Sequence, residues 1–181
     1  QYLLNPVTGT YHPVAQLLME VTVAKRLLAC ASKTDLYDND ASEAYRAAAS
    51  ELPYKLTEKQ EEAVTTSLDN AVACITGGAG TGKTTVLRTA LRAYDAMGYK
   101  IHAIALSGRA AMRLNESIGF KTMTIARFLR IPPIECLNDD DSKHLVVIDE
   151  ASMVDLPTMY RIITHINPMV RIVLSGDPNQ L

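Results

Sequence analysis

The residue pattern from position 57 onward predicts an α/β fold of the P-loop nucleotidase type: a parallel sheet with helices on both faces, preceded by a small helical segment. Three observations carry that expectation. Short apolar runs alternate with stretches of helical periodicity; the loop Gly77-Gly-Ala-Gly-Thr-Gly-Lys-Thr84 joins one such run to one such stretch; and two further apolar runs end in acidic residues. Ligands of such sheets sit at the carboxyl ends of the strands, which is where these loops fall.

The elements follow in order. Pro6, Gly9 and Pro13 break the start of the chain, and Val14, Leu17, Leu18, Val21, Val23, Leu27 and Leu28 recur at helical spacing, so one amphipathic helix is expected over 14–30. Residues 35–40 read as a polar loop, 41–52 as an alanine-rich helix, and Pro53 as a boundary. The expected division is therefore an N-terminal helical segment, 1–52, with no catalytic pattern, and a second domain, 53–181. Thr57 suits the cap of a helix running to about Leu68, because its hydroxyl can accept from a backbone N–H of the first turn. A strand over 71–76 enters the glycine loop, and a helix over 82–97 is closed by Gly98. A strand over 100–106, a helix over 108–117, a short helix near 124–130 and a loop around Pro132-Pro133 come next. After the acidic run Asp139-Asp-Asp141 come a strand over 144–148, a helix over 155–166 and a strand over 170–175.

Bulk properties set limits on function. A chain of 181 residues builds one good core, or one domain with a small appendage. Its net charge of −2 and pI of about 6.1 imply no bulk attraction to nucleic acid, so a nucleic-acid partner requires a local groove. No apolar run has membrane-spanning length, and Gln1-Tyr-Leu-Leu lacks a basic region followed by an apolar stretch, so no membrane partner is expected. Cys30, Cys74 and Cys136 are odd in number, widely spaced and free of any Cys-x-x-Cys pair, which argues against a disulfide framework or a zinc site and for a reducing, cytoplasmic setting. Gln1 and Leu181 both read as cut ends, so a fragment of a longer chain is expected.

The glycine loop carries the most specific chemistry. In Gly-x-x-x-x-Gly-Lys-Ser/Thr the backbone N–H groups converge on phosphate oxygens because no side chain blocks the approach, and the following helix adds its positive end. Gly77, Gly78, Ala79, Gly80, Thr81, Gly82, Lys83, Thr84 and Thr85 are thus the expected nucleotide-binding residues, with Lys83 facing the β- and γ-phosphates of ATP and the Thr84 hydroxyl facing Mg²⁺. Leu145-Val-Val-Ile-Asp149-Glu150 is an apolar strand ending in two carboxylates. Asp149 is expected to hold the metal shell and Glu150 to act as the base toward the attacking water. A third strand ends in Gly176-Asp-Pro-Asn-Gln180, and Gln180 is suited to donate to a γ-phosphate oxygen while accepting from water.

These motifs, with Leu56-Thr-Glu-Lys-Gln60 upstream, resemble the RecD-like helicases of superfamily 1, which include the alpha subunit of exodeoxyribonuclease V. The resemblance covers residues 53 to 181 by motif and implies the first RecA-like motor domain of a five-prime to three-prime DNA helicase. It also implies a place in DNA repair and recombination, nuclease or helicase subunits as partners, single-stranded DNA as the track, and a second RecA-like domain in the parent chain. By position, Gln60 matches the family's adenine-reading glutamine, and Gln180 the glutamine that links the γ-phosphate to the DNA track. In related nucleotidases the strand before Gly176 lies between the phosphate-loop strand and the Asp149 strand. The DNA-contact motifs depart from the family: Leu106-Ser-Gly-Arg-Ala-Ala111 lacks the Pro-Thr pair, and Thr124-Ile-Ala-Arg-Phe-Leu129 has alanine in place of histidine. Ser107, Arg109, Thr124 and Arg127 are the candidate DNA contacts.

Two other readings stay open on the residues: a P-loop phosphotransferase, which Gln60 and Gln180 argue against, and a nucleotide-gated regulatory module of a nuclease. The motor reading further implies slow hydrolysis by this chain alone, since no arginine from a partner lobe is present to stabilise the transition state.

Overall fold

A computed structural model describes residues 2–32, 40–78, 80–134 and 143–177. Ala79, Cys136, the acidic run 139–141, Gln180 and most of the expected polar loop at 35–40 lie outside the described residues.

The chain opens with an antiparallel hairpin, β1 (Tyr2–Leu4) against β2 (Tyr11–Pro13), where the sequence pattern suggested only a broken start. Two three-residue strands are too short to display alternation. The turn between them is set by Asn5, whose side-chain oxygen accepts from the N–H of Val7 at 2.9 Å, and by Gly9 at φ +67°. Helices α1 (Val14–Ala31), α2 (Ala41–Ser50) and α3 (Glu58–Asp69) follow. At the start of α3 the expected cap forms reciprocally, Gln60 N donating to Thr57 Oγ1 and Thr57 N donating to Gln60 Oε1 at 3.0 Å.

From here strand and helix alternate: β3 (Val72–Thr76), α4 (Lys83–Ala96), β4 (Lys100–Ala105), α5 (Gly108–Ile118), β5 (Thr122–Thr124), α6 (Ile125–Phe128), β6 (His144–Ile148), α7 (Leu156–His165) and β7 (Arg171–Gly176). β5 has no counterpart in the sequence reading, because its three residues gain strand form only by pairing with β4. The five parallel strands are ordered β3-β7-β6-β4-β5, so β7 lies between the strand that enters the glycine loop and the strand that ends at Asp149. This is the expected order. β6 is central and buried on both sides, which is why it reads as an unbroken apolar run.

Side-chain alternation sorts the sheet into two cores. Ala73, Ile75, Ala103, Leu145, Val147 and Val173 face α2, α3, α4 and α5, whereas Ile104, Val146, Ile148 and Ile172 face α1, α6 and α7. The first 52 residues thus contribute to both layers, α1 packing on α7 and α2 on α4.

β7 begins with a residue that an apolar strand does not announce. Arg171 is only 1% exposed, and its guanidinium donates to Leu68 O and, at 3.5 Å, to the Tyr94 hydroxyl. It also lies 5.8 and 5.5 Å from the Tyr94 and Tyr99 ring centres. The charge thereby ties the ends of α3 and α4 and the start of β7 together. Arg171→Ala is expected to lower stability in urea denaturation by roughly 2–4 kcal/mol through lost packing and an orphaned carbonyl.

At the amino end of the sheet His102 and His144 stack with 5.2 Å between ring centres, and His102 Nε2 lies 2.9 Å from His144 Nδ1. Burial, then the neighbouring His144 and Lys100, push the His102 imidazole down to about 4. Between pH 6.5 and 4 the unfolded chain binds a proton that folded His102 refuses, so this contribution is present above 6.5 and lost as pH falls toward 4. The thermal midpoint is expected to drop by several degrees between pH 7 and pH 5, and to drop less in His102→Asn.

Candidate nucleotide site

The glycine loop is shaped by contacts that its small residues permit. Gly77 N donates to Gly176 O at 3.3 Å, fastening the end of β3 to the end of β7. Thr81 folds the loop back, its hydroxyl donating to Gly78 O at 2.8 Å. A Cβ on Gly77 would stand 2.5 Å from Thr81 Oγ1, and one on Gly82 would stand 2.3 Å from Gln60 Nε2. Gly82 also sits at φ +81°, a left-handed conformation in which α4 starts without a side-chain cap. The first amides of that helix are therefore available to an anion.

Gln60 acts behind the loop. Its amide oxygen accepts from Thr57 N, and its Nε2 donates to Thr81 O at 3.1 Å. One side chain thus couples the start of α3 to the phosphate loop. Thr85 points to another support, its hydroxyl lying 3.3 Å from that of Tyr54.

The acidic pair is held by the sheet. Asp149 N donates to Ile104 O at 3.1 Å, extending the β4–β6 ladder by one residue and keeping Asp149 on the same face as Leu145 and Val147. Glu150 then adopts φ 52° and ψ 39°, and it is the one non-glycine with positive φ among the described residues. That conformation costs about 1 kcal/mol for a residue with a Cβ. It turns the chain into a 3-10 turn, Ala151–Met153, that packs on β7. Gly176 lies against this turn, where a Cβ would stand in van der Waals contact with Ser152 N at 3.4 Å.

Lys83, Thr84, Asp149 and Glu150 line one cleft of about 190 Å³, together with Leu87, Leu114, Ser117, Ser175 and Asp177. Of the expected site residues, these four converge on the cleft, Gly77 and Gly82 shape the loop beside it, and Gln60 braces that loop. Gly78 accepts the Thr81 hydroxyl and Gly80 makes a second left-handed turn. Ala79 and Gln180 lie outside the described residues. Sequence reasoning missed Ser175 and gave Asp177 no role; the signal for both was their place at the end of a strand beside the other two motifs.

The candidate DNA contacts lie along the far part of the same sheet edge. Thr124 ends β5, paired with Ala105 of β4, and Ser107 follows that rung; both hydroxyls cap helices, Ser107 accepting from Ala110 N at 3.1 Å and Thr124 from Arg127 N at 3.2 Å. Arg109 and Arg127 are exposed. Among the described residues, no helix is long and apolar enough to cross a membrane, and Cys74 is an exposed free thiol.

A family model described as an AAA domain matches residues 55–181. The chain belongs to the AAA domain family. Membership implies a nucleotide-binding protein, and the named relatives carry the resemblance to RecD-like helicases. The RecBCD enzyme subunit RecD of Haemophilus influenzae is 36% identical over 154 residues, a match spanning 69% of this chain and 24% of that protein. The conjugal transfer protein TraA of Agrobacterium fabrum is 30% identical over 181 residues, spanning 97% of this chain and 16% of that protein. Among solved structures, one of two coordinating Pif1 helicases at forked duplex DNA has a TM-score of 0.50 at 25% identity, over 71% of this chain and 35% of that one. This AAA domain chain therefore spans a quarter or less of the two curated relatives.

Because Gln60 bridges two elements through its two amide atoms, Gln60→Ala is expected to weaken nucleotide binding about 5- to 10-fold while lowering the melting midpoint only slightly. Titration with a fluorescent ATP analogue, beside a thermal melt, checks both halves.

Proposed function

We propose that this chain is the ATP-binding motor lobe of a DNA helicase or translocase, with residues 53–181 as the lobe and 1–52 as the segment leading into it. The observation that carries the proposal is the convergence of Lys83 and Thr84 with Asp149 and Glu150 on one cleft. The residues fit Mg·ATP. A Cβ at Gly77 would collide with Thr81, Gly82 holds a left-handed φ, the helix behind the loop opens uncapped, and hydroxyl and carboxylate oxygens are the donors that a hard cation takes.

In this reading the loop amides and Lys83 hold the phosphates, while Thr84 and Asp149 hold Mg²⁺. Bound Mg²⁺ would supply charge neutralisation for the phosphates. Glu150 accepts the proton of the attacking water, its carboxylate aimed by the left-handed turn. Gln180, by its motif, takes the role of γ-phosphate sensor. Single-stranded DNA runs past Arg109 and Arg127, at the β4 and β5 ends of the sheet, and alternating closure against a second RecA-like lobe moves the strand. Five-prime to three-prime polarity, a cytoplasmic setting, and service in repair and recombination within an exodeoxyribonuclease V-type complex belong to the same reading.

A second reading has its own observation. The match to TraA runs through the hairpin and α1 as well as the lobe, which favours a motor working in conjugal DNA transfer. Both readings share the site and the track.

The chain alone is expected to bind ATP and hydrolyse it slowly, because a partner-lobe arginine is worth roughly 10³–10⁵ in rate. In the complete parent chain, single-stranded DNA should stimulate ATPase activity. Glu150→Gln should reduce turnover at least 100-fold with nucleotide binding kept, and Lys83→Ala should abolish binding. ATPase indifferent to oligonucleotides would overturn the motor reading and favour a phosphotransferase or a regulatory module.

A further inference from the structure

Ser175 stands where the fold asks for an apolar side chain. On the same face of the sheet its neighbours are Val173 two residues earlier, Val147 on β6 and, directly across on β3, Ile75. Ser175 is 1% exposed, and among the described residues its Oγ has no hydrogen-bond partner. A buried hydroxyl left in that state costs about 1–3 kcal/mol, so an apolar residue would serve the fold better.

The register says what the hydroxyl faces. Val147 pairs with Val173 and Ile148 with Leu174, so the next rung sets Asp149 beside Ser175, about 5 Å away across the strands and on the same face. Asp149 keeps that parity because its N–H continues the ladder to Ile104 O. Both residues line the cleft that Lys83 and Thr84 also line. The unpartnered hydroxyl thus sits between the Asp149 strand on one side and Ile75, at the foot of the phosphate loop, on the other.

We propose that Ser175 is a metal-positioning residue: its Oγ accepts a hydrogen bond from a water of the Mg²⁺ shell and donates its own hydrogen to the Asp149 carboxylate. The inference rests on the Mg·ATP reading of the cleft. A hydroxyl is suited to the task because it is donor and acceptor at once, whereas a carboxylate accepts only. Magnesium keeps several waters when bound through one or two protein oxygens, and those waters require acceptors. The arrangement accounts for both anomalies together, a polar residue in an apolar row and a buried hydroxyl that gains a partner when the ligand arrives.

The test is the affinity of the 181-residue chain for a fluorescent ATP analogue, measured in Mg²⁺ and in EDTA, for wild type, Ser175→Ala, Ser175→Cys and Lys83→Ala. Both serine variants are expected to bind about 5- to 10-fold more weakly in Mg²⁺ and within about 2-fold of wild type in EDTA. Without nucleotide, Ser175→Ala should melt at the same temperature as wild type or higher. Unchanged affinity in Mg²⁺, an equal loss in EDTA, or a lower melting midpoint for nucleotide-free Ser175→Ala would overturn the assignment. If Lys83→Ala loses binding and the serine variants do not, the serine assignment alone fails. If wild type does not bind, or Lys83→Ala binds as wild type does, the reading of the cleft fails with it.

Discussion

The register of β7 between β3 and β6 is the constraint on which the rest of the molecule depends. Gly77 N reaches Gly176 O only because Thr76 pairs with Gly176, and the Asp149 turn meets β7 only because Ile148 pairs with Leu174. One strand therefore aligns the phosphate loop and the acidic pair at the same height on the sheet. A slip of one residue would turn Asp149 and Ser175 to opposite faces, since side chains alternate strictly along a strand. The burial of β6 on both sides and the two apolar layers oppose that slip.

Packing density and chemistry conflict at this edge, and the conflict is resolved locally. Gly77 and Gly82 leave out side chains where Thr81 and Gln60 come close. Glu150 takes a left-handed backbone that its Cβ resists. The stability lost in these places comes back from the apolar rows beneath and from braces such as Gln60 and Arg171, which join elements far apart in the chain. Such braces fix where the loop and the acidic pair stand, the condition under which fixed charges and dipoles act most strongly.

The helices before Pro53 add to that bracing. α1 covers the sheet on the α7 side, and α2 covers α4, the helix that carries Lys83 and Thr84. They supply no residue to the cleft lining, yet they press on the elements that do.

Local chemistry alone determined much of this protein. The apolar runs marked β3, β4, β6 and β7 within a residue or two, because buried parallel strands must be apolar on both faces. Gly77 to Thr84 announced its loop because few residue types tolerate close approach and positive φ, and Thr57 announced its helix by its cap. Tertiary structure decided what no local pattern encodes. β5 and the hairpin exist through pairing with neighbours. The burial of Arg171 depends on two tyrosines met only in space, and the place of Ser175 beside Asp149 on the register of separate strands. Sequence reports what a residue prefers in its own segment, whereas a rung of a sheet is a relation between segments, and only folding creates it.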